Sequence, residues 1–155
     1  MTTMTENLDP KIDTQPRISP DDYRRIVEGM KLIRLSLRIC EAKANLEVLE
    51  GVFPQPLSLS VDMREIATKL EPRDGGATIR HGYLVTSKCG RKTAFSIRAV
   101  YTLTFESAET VTEEFFEVFR QITLPRFTWP YMRELVASMT GRMDMPKLLL
   151  PLIHA

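Results

Sequence analysis

One run in the middle of the chain restricts the fold more than any other stretch. From Phe95 to Glu106 the residues Phe95, Ile97, Ala99, Tyr101, Leu103 and Phe105 alternate with Ser96, Arg98, Thr102, Thr104 and Glu106. A period of two places the first set on one face of a β-strand and the second on the other. A strand divided in this way belongs to an antiparallel sheet with one face covered and one in water. The rest of the chain has to supply the neighbouring strands and the covering layer.

Three further segments have strand character. Ile33, Leu35, Leu37 and Ile39 alternate with Arg34, Ser36 and Arg38; the phase then flips to Ala42, Ala44, Leu46 and Val48. That flip implies a bulge near Cys40 or Glu41, or a change of buried face. Leu57, Leu59, Val61 and Met63 give a second strand, followed by a polar stretch closed as a turn by Pro72 and Asp74-Gly75-Gly76. A third runs from Ile79 to Val85, and Lys88-Cys89-Gly90-Arg91 reads as a tight hairpin with Gly90 at positive φ. Between the first two strands, Gly51-Val52-Phe53-Pro54-Gln55-Pro56 must be a connection, because two prolines cannot donate to a central ladder. It is unusually apolar for a loop.

Helices flank the strands. Ser19-Pro20-Asp21-Asp22 combines a hydroxyl cap, a proline at the first position and carboxylates at the positive end of the dipole, and Gly29 closes a short helix. Thr110-x-x-Glu113 forms a capping box ahead of the stripe Val111, Phe115, Val118, Phe119 and Ile122. Beyond an aromatic and proline-rich turn, Phe127, Tyr131, Leu135 and Met139 recur every four residues with Met132 and Val136 beside them. This predicts a helix that starts near Thr128 as N-cap, carries Pro130 in its first turn and ends at Gly141 with a left-handed cap. Four antiparallel strands with helices on one sheet face make an α+β fold.

Composition narrows the function classes. The 155 residues suit one domain, with residues 1–18 as a disordered N-terminal arm and 19–155 as the folded unit. Twenty-one Lys and Arg against 20 Asp and Glu leave a formal net charge of +1, so no overall footprint points to nucleic acid or an anionic membrane. No apolar run approaches the ~20 residues of a spanning helix. No secretory h-region is evident near the N-terminus, so Cys40 and Cys89 read as free thiols of a cytoplasmic protein. With His81 and His154 the only histidines, no zinc ligand set is expected.

The segment Trp129-Pro130-Tyr131-x-Arg133-Glu134, followed by Ser138-x-x-x-Arg142 and Pro146-x-Leu148, resembles the C-terminal signature of the SecB chaperone family. It is similar in particular to SecB-like chaperones associated with toxin–antitoxin systems, which carry Pro-Tyr-x-Arg-Glu, then Thr-Gly-Arg, then Pro-x-Leu. The likeness is specific over residues 124–150 and one of pattern over residues 31–106. It implies a four-stranded antiparallel sheet with a long C-terminal helix on one face and a short N-terminal helix, assembled as a homotetramer, a dimer of dimers. In the family a crossover loop with an aromatic before proline lies where Phe53-Pro54-Gln55-Pro56 stands.

The same resemblance implies an ATP-independent holdase without a cofactor, whose partner is an unfolded or nascent polypeptide. Methionines and aromatics in excess of the strand pattern suit a surface that accepts varied apolar ligands. The expected client-binding residues are Val52, Phe53, Pro54, Pro56, Phe127, Trp129, Met132, Met143 and Met145. Export members of the family are strongly acidic and continue past Pro-x-Leu into another helix and a polar tail. This chain is nearly neutral and stops at Ala155, and Arg34 and Arg38 stand on a face where acidic residues are typical. A client-specific role, guarding an antitoxin or a similar unstable partner, is therefore favoured over delivery of precursors to the translocase through the ATPase SecA.

The competing readings are a binding or scaffold module that keeps the fold without chaperoning, and a small α+β enzyme. The second lacks a nucleophile with its base, a metal cluster or paired carboxylates in a cleft. Glu113-Glu114 serve the helix dipole, and Gly75-Gly76 precede a strand instead of the helix that a phosphate loop requires. His81 beside Tyr83 reads as a hydrogen-bonded or partly exposed strand residue. Arg133 and Glu134, adjacent on the helix, point to different sides; a pair across an interface, an anchor to a loop and plain surface charge all remain open for them.

Overall fold

The computed structural model describes residues 18–50, 60–145 and 147–152. Residues 1–17 of the expected 1–18 arm, the expected connection at 51–56 with the expected strand start at Leu57 and Leu59, and the proline of the Pro-x-Leu segment lie outside those residues, while Ile18 packs against the core. The order is α1 (Pro20–Glu28), β1 (Met30–Ala44), α2 (Leu46–Glu50), β2 (Ser60–Arg73), β3 (Gly76–Cys89), β4 (Lys92–Ser107), α3 (Glu113–Ile122) and α4 (Leu124–Arg142). The strands form one antiparallel sheet in the order β1-β4-β3-β2. β3 and β4 are central, and β1 and β2 form the edges.

Register explains which residues make the core. Ile79 opposes Leu103, His81 opposes Tyr101, Tyr83 opposes Ala99 and Val85 opposes Ile97, so one face of the central pair is apolar and aromatic except at His81. Helices cover this face. Phe105 meets the rings of Phe119 in α3 and Phe127 in α4 edge to face at 5.7 and 5.5 Å, geometry that favours aromatic pairs beyond the area they bury. α1 is tied on by a hydroxyl contact between Tyr23 and Thr123 and by Arg25 Nε, 2.9 Å from Glu109.

The expected strand alternation holds, with corrections at the edges. β1 shifts register between Leu32 and Arg34 and again between Leu37 and Ile39, so the phase flips before Cys40. Strand ends at Ala44, because the Asn45 N–H closes on the Ala94 carbonyl while the Asn45 side chain accepts from Val48 N. Leu46 and Val48 therefore lie in the short α2, not in a strand. β2 runs ten residues past Met63, to Arg73, and its polar half is strand instead of loop. A bulge between Ile66 and Lys69 holds Ala67 at φ +52°. α3 starts two residues late: Thr112, not Thr110, caps it by accepting from Phe115 N.

α4 departs most. It begins at Leu124 with Pro125 in its first turn, Thr128 is interior, and Pro130 lies inside the helix on its exposed side. Gly141 stays helical, and the left-handed residue is Asp144 at φ +55°. The fully enclosed row is Leu124, Thr128, Met132, Val136 and Thr140, whereas Tyr131 is 53% exposed. Two threonines occupy that row because each hydroxyl finds a partner there: Thr140 donates to Val136 O four residues back, and Thr128 Oγ1 lies against His81 and Tyr83 of β3.

The turn between β2 and β3 needs glycine twice. Gly75 has φ +73°, and a Cβ on Gly76 would stand 1.9 Å from the Phe105 carbonyl oxygen. Gly76→Ala is expected to cost on the order of 1–3 kcal/mol by forcing β3 away from β4. Urea unfolding measures this, and an unchanged midpoint would show that the ladder yields there without cost.

Candidate functional site

The site grows from the buried hydroxyl of Thr128. Its Oγ1 lies 2.9 Å from His81 Nδ1 and 2.8 Å from the Tyr83 hydroxyl, joining α4 to two successive core positions of β3. His81 and Thr128 are fully buried, and the His81 and Tyr83 rings meet edge to face at 4.7 Å. On its far side His81 Nε2 faces Glu65 of β2, 3.6 Å from Oε1, and makes no hydrogen bond among the described residues.

Proton positions follow from the partners. A hydroxyl has one proton to give. If Tyr83 donates to Thr128 and Thr128 donates to His81 Nδ1, the imidazole proton stands on Nε2 and points at the Glu65 carboxylate. The opposite tautomer would aim a lone pair at that carboxylate. Burial pushes the His81 imidazole below its usual range, more strongly than Glu65 pulls it up, so the ring is neutral near pH 7. The same burial pushes the Tyr83 phenol up to about 12.

His81, Tyr83 and Glu65 stand in the wall of an open cleft of about 210 Å³, lined by Met63 and Glu65 of β2, His81 and Tyr83 of β3, and Pro125 and Trp129 of α4. The lining is chiefly apolar, with Glu65, His81 and Tyr83 supplying its polar groups. Sites for drug-sized ligands run from ~300 Å³ upward, so this cleft is scaled to one or two side chains. Met63 is 40% and Val61 42% exposed, and both stand on the helix-side face of β2, opposite Val85 and Ser87. β2 is an edge strand, so its outer N–H and C=O groups meet no described strand.

Trp129 also holds the C-terminal segment. Its Nε1 donates to Pro151 O at 2.7 Å, Arg133 Nε donates to Leu150 O at 2.7 Å, and Thr140 Oγ1 accepts from Leu148 N at 3.0 Å. The segment thus runs back along α4, with Leu150 buried and Leu149 and Leu152 exposed. Arg133 is the anchor among the roles left open for it. A second cleft, about 480 Å³, opens between α1 and α3 beside Tyr23, Val27, Val118, Ile122 and Arg126, with no nucleophile–base pair in its lining.

Of the expected client-binding residues that are described, only Trp129 lines the first cleft, and it is 5% exposed. Met132 is wholly enclosed and Met145 is buried, so neither offers a surface in this conformation. Phe127 and Met143 are half-buried against the core. Val52, Phe53, Pro54 and Pro56 lie outside the described residues. His81, Glu65 and Met63 were missed as site residues, although a signal existed: His81 and Met63 each keep phase with apolar neighbours on their strands. Among the described residues no three of His, Cys, Asp and Glu are grouped to hold a metal ion, and no helix is long and apolar enough to cross a membrane.

A lowered histidine pKa fixes the sign of a pH effect. Above the unfolded value of ~6.5 both states are neutral at His81; below it the unfolded chain takes up the proton first, and stability falls until the folded pKa is passed. The wild-type urea midpoint is expected to drop more between pH 7.5 and 5 than that of His81→Asn. Parallel profiles would remove His81 as the source.

No family model and no curated protein matches the sequence. Among solved structures, the chain is similar to the Mycobacterium tuberculosis Rv1957 SecB-like chaperone, determined in complex with a ChAD peptide from the Rv1956 HigA1 antitoxin. The TM-score is 0.69 at 15% sequence identity, covering 85% of this chain and 96% of that one. A Streptococcus agalactiae protein of unknown function aligns at a TM-score of 0.38 and 15% identity, over 79% of this chain and 97% of that one. The α+β architecture built on β1-β4-β3-β2, with a short N-terminal helix and a long C-terminal helix on one face, is a SecB-like fold.

Proposed function

We propose that the protein is an ATP-independent holdase that binds unfolded or nascent polypeptide, with an antitoxin or a similarly unstable protein as its client. The observation that carries this reading is the apolar cleft lined by Met63 of β2 and by Pro125 and Trp129 of α4, beside an edge strand whose outer backbone groups meet no described strand. An extended client would pair with that edge and drop alternate side chains into the cleft. Affinity would come from burial of client apolar surface, which calls for no nucleotide and no cofactor. The solved structure with the same fold was determined with an antitoxin peptide bound, which supports this class of client.

The expected contributions of Val52, Phe53, Pro54 and Pro56 belong to the same proposal, since they precede β2 by a few residues in the sequence. Assembly is a further part of it. Leu37 on edge strand β1 is 45% exposed opposite Tyr101, whose ring is 6.4 Å from the exposed Tyr131 of α4. A homotetramer, built as a dimer of dimers, would cover such a surface.

Light scattering of an unfolding model protein tests the holdase. Met63→Asp and Val61→Asp change exposed side chains and should leave the fold within ~0.5 kcal/mol of wild type. Each is expected to reduce suppression of aggregation several-fold. Trp129 is the only tryptophan, so a bound apolar peptide should also shift its emission. Full suppression by both variants, with no change in emission, would remove the cleft as the client site.

A further inference from the structure

The outer face of the sheet, away from the helices and the cleft, breaks a pairing rule. Lys69 of β2 stands directly opposite Arg80 of β3, both exposed and both pointing outward. Like charges in direct cross-strand register repel and destabilise a sheet. The register here results from the bulge: one extra residue between Ile66 and Lys69, with Ala67 in the left-handed region, swings Leu70 into the core and Lys69 to the outside. A non-glycine residue at positive φ is itself strained.

The neighbourhood adds to the imbalance. An aliphatic row, Ile39–Val100–Gly82–Ile66, crosses all four strands. Its middle is recessed: Val100 is 4% exposed, and a Cβ on Gly82 would lie within about 3.0 Å of Val100 Cγ2 and Ile66 Cγ1, whereas Ile39 at the β1 end is 39% exposed. One adjacent row carries Arg80 and Lys69, and the other carries Arg98 and Arg64 with Leu84 between them. Glu41, 3.8 Å from Arg98, and Glu71, 3.5 Å from Lys69, pair with them, and Asp62 stands two residues from Arg64 on the same face; Arg64 and Arg80 make no ion pair among the described residues. The whole chain carries a formal net charge of only +1, so this cationic surplus is local.

We propose that this outer face, centred on Arg64, Lys69 and Arg80, docks an acidic polypeptide segment. The two cationic rows lie on either side of the aliphatic row, each about 7 Å from it at two residues of strand rise. Carboxylates that alternate with small apolar residues fit this layout, and the dry floor strengthens ion pairs at its rim. The central rows hold no aromatic ring for bases to stack on, which disfavours single-stranded nucleic acid. Among the described residues the row exposes apolar surface chiefly at Ile39, too little to anchor in a lipid surface. A bound carboxylate between Lys69 and Arg80 relieves the repulsion that the fold by itself tolerates.

The test uses the full chain and a fluorescein-labelled dodecapeptide of alternating Glu and Val, with a Lys–Val peptide, dT12 and anionic phosphatidylserine vesicles as comparisons. The Glu–Val peptide alone should bind, more weakly as salt rises. Arg80→Glu places opposite charges in register with Lys69, so it should weaken binding at least tenfold while raising the thermal midpoint. It should leave suppression of client aggregation unchanged. Arg91→Glu, in the β3–β4 turn, should change neither binding nor the midpoint. Equal binding of the Lys–Val peptide, preference for dT12 or vesicles, no binding at all, or undiminished binding by Arg80→Glu would each overturn the proposal.

Discussion

The buried Thr128 hydroxyl sets the position of the long helix on the sheet. It lies among two side chains of β3 that must each find a partner, and a buried polar group left unpaired costs about 1–3 kcal/mol. That requirement locks α4 in rotation and along its axis, which backing by apolar side chains alone does less sharply. The wall of the cleft follows, because Trp129 is the next residue and its ring meets Tyr83 edge to face at 5.5 Å. So does the path of the last described residues, since Trp129, Arg133 and Thr140 grip their backbone.

The sheet was legible wherever the two faces differ in polarity. β4 has one face against helices and the other toward solvent, and its alternation could be read residue by residue. β2 past Met63 was not, because one bulge reverses the phase and strand Arg64–Arg73 has too few apolar side chains to show a period. In α4 the apolar stripe was placed one position off. Threonine counts as polar in a pattern, yet the Thr140 hydroxyl bonds to its own helix and the Thr128 hydroxyl to β3, so both sit in the enclosed row. Two prolines compounded this: Pro125 and Pro130 both suit a first turn, and only the packing of Thr128 decides between them.

For the candidate site the sequence supplied Trp129 and little else that the cleft uses. The methionine surplus was real, but Met132 and Met145 are spent on the core, where an unbranched thioether fills irregular gaps. What composition could not convey is that a histidine and a carboxylate on neighbouring strands would close the back of an apolar cleft. That depends on the register of β2 against β3, where Glu65 opposes Tyr83, and the bulge that follows Ile66 is not announced by any glycine.

Strand order also has a temporal side. Among the described strands β1 pairs only with β4, Met30 with Ser107 and Ala44 with Phe95. These partners are on the order of 50–80 residues apart, so at a ribosomal rate of ~5–20 residues per second β1 waits several seconds for its neighbour. During that wait Ile33, Leu37 and Ile39 form a β-prone segment open to other chains. Arg34 and Arg38, set between those residues, act as gatekeepers in that interval, when charge repels a second copy and the sheet does not yet exist.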